Sequence, residues 1–515
     1  MIMLYATRPA LPRSAAGIYN PWMIAVIVSI APFMEILDTT IANVALTHIS
    51  GSLAASQDQS TWILTSYLVS NAVILPISGW LSNVVGRKRF YMICVALFTI
   101  SSVLCATATS LDFMLFARVL QGLGGGGLAP STQSMLADSF PPSKRGQVFA
   151  LYGLTVVAAP AIGPVLGGYL TDTLSWHWVF LINLPVGLIA MTLVSIFVSE
   201  PPVIIEERRA MLARGINVDY VGFALVALGF GTLQIFLDQF SEDDGFGSPL
   251  IRLLFVIFTV CIATLMVWEW NHDQPVMNVR LFRHRSFAIA NFLLFMLGFM
   301  LLSSSQLLPQ FTQSLLGYSS ESSGMVLGLG GVATILIMPL SGILTGRVVP
   351  AKWLILGAFA EMGVAFLILS HINLDVSFDR LAMLRVLSVM ALPFMFIPIS
   401  TVSYDGLPAA SNAEASAITN FIRNLGSSVG ISFSSTMLAH RTQFHHARLV
   451  ETITPYNSLA HYSIPQLQSM VQTQAVLLSY TDIFYVLGVM TLMSLPVILL
   501  IRTSSGPPKG ASLAH

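Results

Sequence analysis

The chain has 515 residues, 55% of them hydrophobic and only 9% charged, with Lys+Arg and Asp+Glu equal at 24 each. A soluble domain carries about 25% charged residues, so this composition excludes a water-soluble enzyme or binding module and places the chain in a membrane. Zero net charge and the lack of a long basic run leave no footprint for a nucleic-acid backbone.

The first residues, MIMLYATRPALPRSAAGIYN, hold Arg8 and Arg13 and precede a span-length apolar segment without an Ala-x-Ala cleavage site. They read as a retained cytoplasmic tail, not a signal peptide. With about 20 apolar residues needed per crossing, roughly fourteen spans follow, near 22–47, 60–81, 90–109, 111–137, 147–171, 178–198, 219–238, 251–270, 287–313, 322–346, 354–370, 380–403, 416–439 and 481–501. Basic clusters at Arg87-Lys88-Arg89, Lys144-Arg145, Arg208-Arg209-Arg214, Arg280-Arg283-Arg285 and Arg347-Lys352 fall on one side; the other has mainly Arg441 and Arg448. That asymmetry predicts both termini in the cytoplasm.

Two connections are long. The first, SEPPVIIEERRAMLARGINVD (199–219), has a charged helical middle and is expected inside. The second, about 440–480, is too polar to cross, long enough to form helices outside the membrane, and expected to be external. Its histidines His440, His445, His446 and His461 read as solvated rather than as a metal site. GWLSNVVGRKRF (79–90) and GILTGRVVPAKW (342–353) follow corresponding spans and form a faint internal repeat. This suggests two six-span halves, 1–198 and 286–515, separated by a 199–285 linker with two added spans. Cys94, Cys105 and Cys261 lie in apolar segments and read as buried thiols.

Charges inside spans need a partner or a task. MEILDTTIANVAL (34–46) carries Glu35 and Asp38 on roughly one helical face. At 1.5 Å per residue, Asp38 lies about 13 Å and Glu35 about 18 Å below the outer end of the first span, and Arg118 about 10 Å below that of the fourth. An Asp38–Arg118 ion pair is therefore geometrically allowed; the alternative has Arg118 snorkelling to the interface. Glu361, alone in the eleventh span, reads as a protonated carboxyl bonded to a neighbouring helix. RVLQGLGGGGLAP (118–130) contains Gly122-x-Gly124-x-x-Gly127, formally a dinucleotide fingerprint. Within a span it reads instead as a surface for close helix approach. APAIGPVLGGYL (159–170) combines prolines with glycines and predicts a bent, closely packed hinge or gate.

LDTTIANVAL (37–46), GWLSNVVGRKR (79–89), RVLQGLGGGG (118–127), GPVLGGY (163–169), WHWVFLINLPVG (176–187), LLPQFTQSLLGYS (307–319) and NFIRNLGSSVG (420–430) together resemble the fourteen-span drug:proton antiporters of the major facilitator superfamily. The likeness is to the EmrB/FarB/QacA type, in particular the EmrB/FarB group of Gram-negative bacteria, and covers nearly the whole chain. It implies an all-α polytopic protein of the bacterial inner membrane, two six-helix bundles plus two helices, exporting hydrophobic or amphipathic toxic compounds in exchange for protons. It also implies a periplasmic adaptor and an outer-membrane channel as partners, and no cofactor beyond the proton gradient. Carried onto this chain, proton coupling falls to Asp38 with Arg118, and the cytoplasmic loop motif to Gly79, Gly86, Arg87 and Arg89. Glu35 lies just outside the matching stretch and reads as an auxiliary acid of the coupling site, either binding cationic substrates or staying protonated and silent. The antiporter motif falls to Pro160, Gly163, Pro164, Gly167 and Gly168, with Asn43, Gln121, Glu361 and Arg423 as cavity candidates. Asn83 departs from the superfamily, which has Asp there, and this weakens a charge-dependent latch at that position. The alternatives are export of an endogenous metabolite or lipid-like compound, a membrane enzyme such as an acyltransferase, and a sensor. An acyltransferase would need a convergent His/Asp or Ser/His set at one depth, and a sensor an appended soluble domain; neither is visible.

Overall fold

The computed structural model describes residues 20–501 apart from 201, 214–217, 241–244, 273–274, 346–347, 409–410 and 452–462. The N-terminal tail, Arg214, Arg347 and the tip of the 440–480 connection thus lie outside the described residues. Because a bilayer offers no water to backbone N–H and C=O groups, each crossing must satisfy them internally. The described chain is accordingly helical, with one isolated bridge between Thr345 and Val349.

The first bundle comprises α1 (Pro21–Ser52), α2 (Gln57–Val85), α3 (Arg87–Ala106), α4 (Leu111–Gly125) with α5 (Leu128–Ser139), α6 (Pro142–Thr173), and α7 (His177–Leu181) with α8 (Asn183–Phe197). A surface helix, α9 (Pro202–Ala213), precedes the added pair α10 (Tyr220–Gln239) and α11 (Pro249–Asn271). The second bundle comprises α12 (Arg285–Ser314), α13 (Ser320–Leu344), α14 (Ala351–Leu369), α15 (Phe378–Met390) with α16 (Leu392–Ser403), α17 (Asn412–Glu451), and α18 (Ile464–Met493) with α19 (Leu495–Leu499). Among the described residues, eleven stretches are long and apolar enough to cross a membrane. With α4–α5, α6 and α17 they account for the fourteen crossings that the hydropathy pattern predicts. Starts are set locally: the Asn20 side chain accepts from the Trp22 amide ahead of Pro21, and Ser56 with Gln59 forms a capping box at α2.

α10 and α11 pack on each other, and α10 lies along the seam between the bundles. Thr65 of α2 donates to Asp238, Ser428 of α17 donates to Gln234 at 3.1 Å, and the Phe230 and Phe421 rings stand 4.3 Å apart. The added pair therefore touches both bundles.

The 440–480 connection differs from expectation. Instead of separate short helices, α17 runs unbroken to Glu451 and α18 begins at Ile464, so both flanks continue membrane helices. No Gly or Pro interrupts 440–451, and Ser463 with Gln466 caps the return. Arg441 Nε and His445 Nε2 meet Asp482 Oδ2 at 2.6 and 2.7 Å, and Thr442 donates to Ser479 at 3.1 Å, clamping the two extensions together. Residues 440–451 alone carry α17 about 18 Å past the predicted end of its span.

Candidate functional site

Five helices converge on Asp38. Asp38 is 1% exposed, and Arg118 is fully buried. Arg118 Nη1 donates to Asp38 Oδ2 at 3.0 Å, while Gln121 Nε2 and Asn183 Nδ2 donate to Oδ1 at 3.0 and 2.5 Å. The guanidinium also donates to the Ile63 carbonyl through Nε (3.0 Å) and to Gln121 Oε1 through Nη1 (2.7 Å), and stands 4.6 Å from the centre of the Tyr67 ring. Ser102 of α3 accepts from Asn183 at 2.8 Å and from Gln121 at 3.3 Å. The ion pair allowed by the depth estimate is thus present, and Arg118 does not snorkel. Such a pair persists in an apolar interior only when further hydrogen bonds satisfy both ions, as here.

Close helix approach builds this cluster. A Cβ on Gly122 would fall 2.4 Å from the Tyr67 carbonyl oxygen, and one on Gly124 2.6 Å from the Phe98 amide nitrogen. The glycine run is therefore the place where α4 meets the backbones of α2 and α3, not a nucleotide cradle. Asn183 and Ser102 were not singled out by sequence reasoning. Asn183 sits in the family stretch WHWVFLINLPVG, and a buried amide in an apolar span was the available signal.

Glu35 lies one turn nearer the basic side and is half-buried. Its Oε1 accepts from Tyr67 Oη at 3.1 Å and Asn71 Nδ2 at 3.2 Å, and Arg423 of the second bundle is within electrostatic reach. Arg423 itself lies 5.8 Å from the centre of the Phe396 ring. Glu35 therefore faces the seam, whereas Asp38 is enclosed within one bundle. Two of the cavity candidates do not join them. Asn43 is exposed on α1. Glu361 sits on α14, which packs on α15, α16 and α18, and its buried Oε1 has no hydrogen-bond partner among the described residues. The expected bond from Glu361 to a neighbouring helix is thus not seen for that oxygen.

The two bundles are tied together on the side of the basic clusters. Arg87 pairs with Asp138, whose Oδ1 accepts from Asn412 Nδ2 at 2.8 Å. Ser416 donates to the Pro130 carbonyl at 2.7 Å, and Asn420 and Gln133 exchange amide hydrogen bonds at 2.9 and 3.3 Å. Asn83 donates to Glu414 Oε1 at 3.3 Å, and Asn278 to Oε2 at 2.8 Å. A Cβ on Gly79 would fall 2.8 Å from Glu414 Cα. The amide at position 83 therefore complements a carboxylate supplied from across the seam. Gly86 adopts φ +101°, which favours glycine, and Arg89 is exposed toward α9 instead of joining this latch. Asn83→Asp would set two carboxylates face to face. It is expected to loosen the latch, seen as faster maleimide labelling of a single cysteine at Ser416; an unchanged rate would dismiss the latch.

α6 passes Pro160 and Pro164 as one continuous helix. A Cβ on Gly163 would fall 2.6 Å from Thr40 Cβ, and one on Gly167 3.2 Å from Ile41 Cα, whereas Gly168 meets nothing within 4 Å. The two packed glycines thus seat α6 against α1 two and three residues from Asp38, and Pro160 is exposed. Gly163→Leu and Gly167→Leu are expected to cut exchange at least about tenfold at normal insertion, with Gly168→Leu close to wild type, measured in liposomes. Equal activity of all three would reduce this face to ordinary packing.

Twelve crossings in two bundles and an added pair, with a buried carboxylate–guanidinium pair in the first bundle, define a polytopic membrane transporter fold. The chain belongs to the Major Facilitator Superfamily, whose family model matches residues 28–431. It is 33% identical to the multidrug export protein EmrB of Escherichia coli (strain K12) over 508 residues, covering 96% of this chain and 98% of the relative. It is 31% identical to the fatty acid resistance protein FarB of Neisseria gonorrhoeae over 488 residues, covering 92% and 94%. Among solved structures it is similar to the proton:xylose symporter XylE (TM-score 0.61, 16% identity, covering 93% of this chain and 96% of that one). The human organic anion transporter MFSD10 gives a TM-score of 0.60 at 15% identity, covering 93% and 100%.

Proposed function

We propose that the chain is a proton-driven exporter of hydrophobic or amphipathic compounds from the cytoplasmic membrane. The observation that carries this is the enclosed Asp38–Arg118 pair, one helical turn from a second acid, Glu35, that faces the seam between the bundles. An acid drawn away from its guanidinium in an apolar setting takes up a proton, and one brought back to it releases the proton. Because Asp38 sits on α1 and Arg118 on α4, any rearrangement of the first bundle changes that separation. Exchange then requires that substrate binding favour the deprotonated state.

Taking the basic side as cytoplasmic by the positive-inside rule, the latch at Asn83, Asp138 and Glu414 closes the cytoplasmic end. The clamped extensions of α17 and α18 then project into the periplasm, where they offer a docking post for an adaptor leading to an outer-membrane channel. The names of the relatives, multidrug export and fatty acid resistance, support toxic amphiphiles as cargo. The test is a susceptibility panel in a pump-deficient host, with and without a cognate adaptor and with a protonophore. Protonophore-sensitive resistance supports the proposal, and an unchanged panel favours export of an endogenous metabolite on the same fold. Impermeant labelling at Thr473 but not at Leu212 in intact spheroplasts would support the orientation, and the reverse would overturn it.

A further inference from the structure

The second bundle holds a buried cation with no counter-charge among the described residues. α15 begins FDRLAMLRVLSV (378–389) and α4 begins LDFMLFARVLQG (111–122), each following a serine N-cap and each placing Arg-Val-Leu at its eighth to tenth residues. Arg385 is therefore the repeat counterpart of Arg118, about 10 Å from the corresponding helix end. Its partners differ in kind. Where Arg118 meets the Asp38 carboxylate on α1, Arg385 meets two hydroxyls on α12, donating from Nη1 to Ser304 at 3.2 Å and from Nη2 to Ser305 at 3.0 Å.

Arg385 is 7% exposed, its buried Nε has no hydrogen-bond partner among the described residues, and no described carboxylate lies within ion-pair distance. Gly330 of α13 makes room for it: a Cβ there would fall 3.1 Å from Arg385 Cγ and 3.5 Å from Nε. Ser304 spends its proton on the Leu301 carbonyl at 3.1 Å, whereas Ser305 is half-buried and donates to no described residue. A guanidinium held inside a membrane protein by neutral acceptors alone is costly, and the missing term is an anion. The free Nε edge and the Ser305 hydroxyl are donors of the kind that grip a carboxylate.

We propose that Arg385, with the Ser305 hydroxyl beside it, is an anion-binding site in the second bundle, taking the carboxylate of an amphipathic substrate. The same donors accept a small inorganic anion. The use of this site in export rests on the exporter function proposed above; the binding itself does not, and is measured without transport.

The experiment uses the purified full-length chain in detergent, titrated with decanoate, with methyl decanoate and with chloride, reading the thermal unfolding midpoint and tryptophan fluorescence. The variants are Arg385→Gln and Ser304→Asp, the latter supplying the carboxylate that Asp38 supplies in the first bundle. Wild type is expected to bind decanoate, with an affinity at least about tenfold weaker in both variants and binding of methyl decanoate unchanged. Ser304→Asp is expected to raise the ligand-free midpoint, so the test does not depend on Arg385→Gln folding. If chloride raises the wild-type midpoint but neither variant's, while decanoate does not bind, the site holds and its occupant is inorganic. Failure of both anions to bind wild type, or undiminished anion binding by folded Ser304→Asp, would overturn the proposal. Anion binding in this titration together with an unchanged susceptibility panel would count against the exporter function alone.

Discussion

Asp38→Asn is expected to abolish proton-driven exchange while the protein still inserts. The carboxylate accepts from three donors at once, on Arg118, Gln121 and Asn183. An asparagine has a single acceptor oxygen, so its amide nitrogen must face one of those donors, and Arg118 loses its counter-charge. Removing one partner of a buried ion pair costs about 3–5 kcal/mol. Part of that is offset here, because Arg118 keeps its bonds to Ile63 and Gln121. The double variant Asp38→Asn with Arg118→Gln removes the orphaned charge and is expected to regain stability without regaining exchange. Stability is read from thermal unfolding in detergent and exchange from pH-gradient-driven uptake in liposomes. Exchange that recovers together with stability would make the pair a structural strut and nothing more.

The largest stability loss is expected at Gly426→Val. α12 and α17 cross with their backbones in direct contact. A Cβ on Gly426 would fall 2.1 Å from the Phe295 carbonyl oxygen, one on Gly298 2.2 Å from the Arg423 oxygen, and one on Gly430 2.4 Å from the Phe299 oxygen. These neighbours are backbone atoms and cannot rotate aside. The cost is therefore expected to exceed the roughly 1–3 kcal/mol of ordinary overpacking. Gly357→Val on α14, where nothing lies within 4 Å, is the control and is expected to stay near wild type. A similar fall in unfolding midpoint for both would show that the helix crossing tolerates separation.

What could be read from sequence follows from what a bilayer demands. Fourteen crossings were legible because each needs its own apolar run, and the ion pair was legible because a charge at membrane depth needs a reason. The Gly426-x-x-x-Gly430 spacing in NFIRNLGSSVG carries more than a family likeness, since small residues four apart mark close helix packing. Asn183 and Ser102 carry no periodicity as single polar residues in apolar spans, so only their cost of burial marks them, and that does not say which neighbour they meet. The unbroken extension of α17 was hidden by the polarity of 440–451: hydropathy ends a span where the apolar run ends, but a helix continues until something breaks it. Asn43 and Glu361 are cavity candidates by sequence, but Asn43 is exposed on α1 and Glu361 lies on α14, apart from the Asp38 cluster, because only the packing decides which face of a span turns inward. The pairing of Asn83 with Glu414 needed the structure, because the two residues lie on different bundles.

The assignment of coupling to Asp38, with Glu35 as an auxiliary acid at the seam, is tested most directly by substrate-induced proton release from the purified protein in weakly buffered detergent. Wild type and Glu35→Gln are expected to release protons when substrate is added, with Glu35→Gln showing a narrower substrate range, and Asp38→Asn is expected to release none. Release that persists in Asp38→Asn and vanishes in Glu35→Gln would contradict the account and leave Asp38 as the structural partner of Arg118.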